Sequence, residues 1–238
     1  MTMNVKANSD ASTEADFSLA LAVSVHDMKN SMGMLMASLD EIFSYDKQTL
    51  PVELKKQLAT VQYEASRINV DLVKILSVYR LQHNRLPIHI DNCFIAELLE
   101  EQVLRNQNLI DSENIHAQIV CEADLTGFLD VDLVASIIND ALINACRYTK
   151  NEILVGAEAI QGYLHIYVAD NGSGFPEKLL HSDRENVFEK DSLDRTHLGI
   201  YFAEKIAAMH RHNGSVGYIK LTNSEMLSGG LFSLYLPM

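Results

Sequence analysis

Residues 163–176 read YLHIYVADNGSGFP. Aromatic and β-branched residues dominate the stretch from Tyr163 to Ala169, and such residues fit a pleated, half-buried strand. The chain then turns on Asp170-Asn171-Gly172-Ser173-Gly174-Phe175-Pro176. Gly172 and Gly174 can adopt positive φ and let a backbone approach a ligand closely. Asp170, at the end of the strand, is a candidate buried acceptor. A glycine turn after a strand is often only a turn, so its surroundings decide the reading.

Working outward, Ile153 to Ile160 reads as a second strand, joined to the first around Gln161-Gly162. Val131 to Tyr148 reads as a helix, with Leu133, Ile137, Ala141 and Asn144 or Ala145 along one face. Ile95 to Asn106 reads as an amphipathic helix and Ile115 to Cys121 as a strand. Downstream, Gly199 to His210 reads as a helix. Ser215 to Leu221 and Leu231 to Leu236 read as strands, separated by a polar turn ending in Gly229-Gly230. Strands interleaved with helices predict a two-layer α/β domain over residues 87–238.

Upstream of Pro87 the period changes. Apolar residues recur at Leu21, Val25, Met28, Met32, Leu35, Leu39 and Ile42. They recur again at Leu54, Leu58, Val61, Ala65, Ile68, Leu72, Ile75 and Tyr79. Steps of three and four in alternation are a heptad seam. Residues 16–86 are therefore expected to form a two-helix hairpin, broken near Asp46 to Pro51, after a polar tail at 1–15. One hairpin cannot bury both seams, so a homodimeric four-helix bundle is expected. The fold class is α+β: hairpin first, α/β sandwich second.

Composition narrows the function. The 238 residues carry a formal net charge of −13, which repels phosphate backbones and argues against a nucleic-acid partner. Cys93, Cys121 and Cys146 follow no metal-ligand spacing and fit a reduced, cytoplasmic setting. The polar start lacks a signal peptide's features, and no apolar run is long enough for membrane insertion.

Two further stretches carry candidate chemistry. In Val25-His26-Asp27-Met28-Lys29-Asn30, His26 lies beside the seam. Asp27 can orient one ring nitrogen and leave the other as nucleophile. Asn30 is one turn on, and Gly33 and Ala37 continue the stripe with small residues. Gly33 inside a helix costs about 1 kcal/mol relative to Ala, which close approach of a partner would justify. In the helix over 131–148, Asp140 and Asn144 share a face. Their oxygens suit Mg²⁺, which keeps several waters and bridges phosphates, and Arg147 suits phosphate oxygens.

In this order the stretches resemble the boxes of the two-component sensor histidine kinase family, over nearly the whole chain. His26-Asp27-x-x-Asn30 is similar to the H-box. Asn144-Ala145 with Arg147-Tyr148-Thr149 is similar to the N-box, and Asp170-x-Gly172-x-Gly174 to the first glycine box. Phe188 sits where the family has a lid phenylalanine. Leu198-Gly199-Ile200-Tyr201, followed by His210 and Gly214, resembles the second glycine box and its helix. Gly230 through Pro237 resembles the last strand.

The resemblance implies a HisKA-like phosphotransfer hairpin and a Bergerat or GHKL-type ATP-binding domain. It implies ATP and Mg²⁺ as cofactors. His26 would accept the phosphoryl group, Asp27 would act as its base, and Asn30 would position water for dephosphorylation. Asn144 would ligate Mg²⁺ beside Asp140, and Asp170 would bind the adenine amino group. Arg147, Tyr148, Gly172, Gly174, Thr196 and Gly199 would complete the nucleotide site. The partner would be the receiver domain of a response regulator. The short polar start predicts that the signal comes from a separate cytoplasmic sensor protein.

The chain departs from the family in its second glycine box. Arg195, Thr196 and His197 stand where glycines are usual, leaving Gly199. Arg195 and Thr196 offer side-chain donors in their place. Asp140 replaces the usual first asparagine of the N-box. An active kinase and a phosphotransfer or phosphatase protein with a degenerate nucleotide domain both remain open, as does a noncatalytic adaptor.

Overall fold

In the computed structural model the described residues are 87–180, 195–223 and 227–238, together with 27, 28, 30–35, 37, 38, 41, 42, 54, 57, 58, 61, 65, 68 and 72; of 195–197 only the backbone is described. Contacts divide the chain into two units, Met1–Leu86 and Pro87–Met238.

In the first unit every described residue is helical. Along the seam, Met28, Leu35, Ile42, Leu54, Val61 and Ile68 are each at least 40% exposed, while Ala65 is buried. A Cβ at Gly33 would meet no atom within 4 Å. The connection expected near Asp46 to Pro51 lies outside the described residues, and so does His26.

The second unit runs β1 (Asp91–Phe94), α1 (Ile95–Arg105), α2 (Gln107–Ser112), β2 (His116–Cys121), β3 (Thr126–Leu129), α3 (Val131–Tyr148), β4 (Glu152–Ile160) and β5 (Tyr163–Asp170). It continues with α4 (Glu177–Leu180), α5 (Arg195–Met209), β6 (Arg211–His212), β7 (Ser215–Val216), β8 (Tyr218–Asn223) and β9 (Gly230–Pro237). A five-stranded sheet has the order β2-β4-β5-β9-β8. Only β2 and β4 pair in parallel, with α3 in the crossover between them. The other pairs are antiparallel. β4 and β5 form a hairpin from Ile160–Tyr163 to Ile153–Asp170. Its two turn residues, Gln161 and Gly162, have φ of 50° and 81°, the sign that matches the twist of the flanking strands.

The helix α3 packs against both α1 and α5, and all three lie on the sheet. Ile95 and Leu99 of α1, Ile137 and Leu142 of α3 and Ile206 of α5 meet a sheet face that supplies Ile153, Ile166 and Leu234, all essentially fully buried. Removing each such side chain from water stabilises the fold by about 1.5–3 kcal/mol. The result is the expected two-layer α/β arrangement.

α3 starts where it does because Asp130 caps it. The Asp130 Oδ1 accepts the Leu133 N–H at 3.1 Å, a bond of a kind worth about 1 kcal/mol. Its other oxygen accepts the His89 N–H at 2.9 Å and so holds the entry of the unit.

Several elements differ from the sequence expectation. β1 and β3 pair as a separate antiparallel ribbon that the periodicity did not announce. The single strand expected over Ser215 to Leu221 is interrupted at Gly217: β7 pairs with β6 and β8 pairs with β9. Arg211 and His212 form one arm of that small β6–β7 hairpin, with Asn213 in its turn. The helix expected from Gly199 begins at Arg195.

Candidate functional site

β5 delivers Asp170 to the end of the sheet, where it is 8% exposed. Its Oδ1 accepts the Gly172 N–H at 2.7 Å, closing a tight turn on the carboxylate's own backbone. Any Cβ at Gly172 would collide with the carbonyl oxygen of Tyr148, the last residue of α3. The glycine turn therefore rests directly on the end of α3. Gly174 has φ of +77°, a conformation that side chains with a Cβ rarely adopt.

Gly229, just before β9, and Gly230, its first residue, close the other side. A Cβ at Gly229 would strike the Asp170 carbonyl, and one at Gly230 would lie 2.8 Å from Asp170 Oδ2. Nothing in the sequence marked this pair beyond a turn, because the contact joins segments far apart in the chain. Asn223, at the end of β8, holds the turn further along. Its Oδ1 accepts the Phe175 N–H at 2.7 Å and its Nδ2 donates to the Phe175 carbonyl at 3.3 Å. The sequence reading missed Asn223 as well.

α3 supplies the second wall. Asp140 and Asn144 are half-buried one turn apart, and Arg147 and Tyr148 are exposed in the last turn. Gly199 of α5 faces this wall, since a Cβ there would lie 3.7 Å from Asp140 Oδ2. Asp140, Asn144 and Gly199 are thus brought to one junction, and Gly172 to the end of the same helix. Thr196 lies in the first turn of α5, in helix and not in a loop. Its side chain and that of Arg195 are outside the described residues, as is Phe188.

His210 closes the back of the unit and is not at this junction. It is 2% exposed. Its Nε2 accepts the Asp130 N–H at 3.0 Å, so its proton sits on Nδ1, which lies 2.9 Å from the Ile206 carbonyl. Burial lowers its pKa below the usual histidine range. Its role is to pin the end of α5 to the start of α3.

In the first unit, Asp27 and Asn30 are helical and exposed. Among the described residues no three His, Cys, Asp or Glu side chains converge on a metal position. The junction offers a carboxylate, an amide and space beside glycine, a donor set that fits a Mg²⁺ ion held jointly with phosphate oxygens rather than by the protein alone.

This geometry agrees with the comparisons. The family described as histidine kinase-, DNA gyrase B- and HSP90-like ATPase matches residues 129–238. The sensor protein SrrB of Staphylococcus aureus (strain N315) is 24% identical over 220 residues, covering 89% of this chain and 36% of the relative. The chain thus spans about a third of that relative's length. Among solved structures, full-length ShkA in complex with AMPPNP superposes with a TM-score of 0.67 at 18% identity, over 92% of this chain and 45% of that one. The Acinetobacter baumannii histidine kinase AdeS gives 0.60 at 14%, over 88% and 96%. The catalytic domain of the histidine kinase ThkA gives 0.52 at 22%, over 63% and 95%. The structural likenesses show a shared fold. Residues 129–238 match an ATPase domain of the GHKL type, and the chain that carries it is similar to the sensor histidine kinases.

Proposed function

We propose that the protein is an ATP-dependent histidine kinase: it takes the γ-phosphoryl group of ATP onto His26, releases ADP, and passes the group to an aspartate on the receiver domain of a response regulator. The observation that carries the nucleotide half of this reading is the junction itself. Asp170 and its glycine turn rest on the end of the helix that bears Asn144 and Arg147. Adenine and phosphate contacts on different elements are thereby held in one place.

In this reading the Asp170 carboxylate accepts from the adenine amino group, with Gly172, Gly174, Gly229 and Gly230 keeping its surroundings thin. Asn144 and Asp140 hold Mg²⁺, and Arg147 meets phosphate oxygens. When bound, Mg²⁺ spreads the charge of the transferring group. Tyr148, Thr196 and Gly199 complete the wall. On the helical unit, His26 is the nucleophile and Asp27 holds its proton, while Asn30 orients water for dephosphorylating the regulator.

The exposed seam supports a homodimer. Six apolar side chains at heptad positions face solvent in a single chain, a stripe that a second copy would cover.

Incubating the protein with Mg²⁺ and γ-labelled ATP, beside His26→Ala, tests the reading. Acid-labile label on the parent alone is expected. Label on both proteins would overturn the assignment of His26. Label on neither, with nucleotide binding intact, would favour a phosphotransfer or phosphatase protein.

A further inference from the structure

The first glycine box leaves open the position between its aspartate and its first glycine. Here that residue is Asn171, and it makes an unusual set of bonds. The N–H groups of Lys150, Asn151 and Glu152 donate to its Oδ1 at 3.0, 3.1 and 3.2 Å. The Thr149 hydroxyl lies 2.8 Å from the same oxygen. Its Nδ2 donates to Asn151 Oδ1 at 2.9 Å. Three successive backbone N–H groups converging on one oxygen form the kind of concavity that usually holds an anion.

The placement gives these bonds their consequence. The β4–β5 ladder ends at Ile153–Asp170. Beyond it, Thr149, Lys150 and Asn151, with Glu152 at the start of β4, join the end of α3 to the sheet. Asn171 grips all four residues of that connection. Its neighbour on one side is Asp170; on the other is Gly172, which rests on the Tyr148 carbonyl.

We infer that Asn171 is a positioning residue that sets the span between the two halves of the nucleotide site. One half is the adenine side at Asp170, the other the phosphate side at Asn144 and Arg147. The inference rests on the nucleotide-binding reading above. A ligand that touches both halves feels the span; one that touches only the adenine side does not.

The test uses the full chain and two variants, with dissociation constants for Mg²⁺-ATP and for adenosine measured by NMR titration. Asn171→Leu removes every acceptor. It is expected to weaken Mg²⁺-ATP by about tenfold or more and adenosine by less than about threefold. Asn171→Asp keeps an oxygen for the three N–H groups, and Asn151 can turn its amide to donate to it. It is expected to restore Mg²⁺-ATP to within about threefold of the parent.

Equal weakening of both ligands, no weakening, or an Asn171→Asp protein as poor as Asn171→Leu would each overturn the inference. Should Asn171→Leu fail to fold, Thr149→Val removes one partner of the same oxygen. It must then show the same split at about twofold or more, and an unchanged ratio overturns the inference. A parent that binds neither ligand overturns the nucleotide reading, and the inference with it.

Discussion

The Asp130 backbone N–H donates to Nε2 of His210, 3.0 Å away and 80 residues further along the chain. The bond requires an unprotonated Nε2, and burial lowers the His210 pKa below its ordinary value of 6.5. The unfolded chain therefore binds a proton at a higher pH than the folded one. The stabilisation is complete above about pH 6.5 and is lost as pH falls through the lowered folded value. Urea midpoints measured between pH 5 and 8 should drop on the acid side. His210→Gln should be destabilised by about 1–3 kcal/mol at pH 7.5 and should lose part of that slope. Parallel pH curves for parent and variant would show that His210 is not the group responsible.

Gly172 has no room for a side chain because the Tyr148 carbonyl lies against it. Gly172→Ala must push the glycine turn off the end of α3. A stability loss of about 1–3 kcal/mol is expected, with the fold retained. Affinity for a fluorescent ATP analogue should fall by about tenfold or more, since the two halves of the site separate. Ser173→Ala, at an exposed neighbour, should bind like the parent. Unchanged affinity in Gly172→Ala would remove the glycine turn from the nucleotide site.

What the sequence revealed and what it hid have a common cause. Val131 to Tyr148 was legible to the residue, because an apolar face at helical spacing is a local property. The β4–β5 hairpin was legible because Gln161-Gly162 separates two strand-like runs. β1 and β3 were not, because four-residue strands carry little pattern and their pairing joins distant segments. Within the site, Asp170 and Gly172 stood out as residue types at fixed spacing. Asn171, Asn223, Gly229 and Gly230 did not, because what they hold lies on other elements. The helical start of α5 at Arg195 was hidden for a different reason: Arg195-Thr196-His197 was read by comparison with a glycine-rich box, and these residues have no need of a glycine loop's backbone.

Cys146 lies inside α3 on its buried face, 5% exposed. Burial pushes its thiol up to about 11. The thiolate is the reactive form, so Cys146 should resist a thiol reagent at pH 8 in the folded protein and react on unfolding. Cys93 and Cys121 are partly exposed, and both should react earlier despite raised values of their own. Mass spectrometry of the labelled protein at successive times gives the order. Early labelling of Cys146 would mean that α3 opens locally, and with it the wall that carries Asn144.

The exposed seam makes the last prediction. Val61 is 48% exposed at a heptad position, and Leu54 and Ile68, one heptad before and after it, are exposed as well. If a second copy covers it, Val61→Glu places a carboxylate in an apolar seam where it has no partner. That is a penalty of several kcal/mol, enough to shift a dimer to monomers at micromolar concentration. Gln57→Glu, at an exposed position off the seam, adds the same charge and should leave the dimer intact. Light scattering after size exclusion reads the mass of each protein directly. ATP binding by the second unit should be the same in both variants, because its site is built from residues after Pro87. A Val61→Glu protein of unchanged mass would mean that the seam is covered by something other than a second copy of the chain.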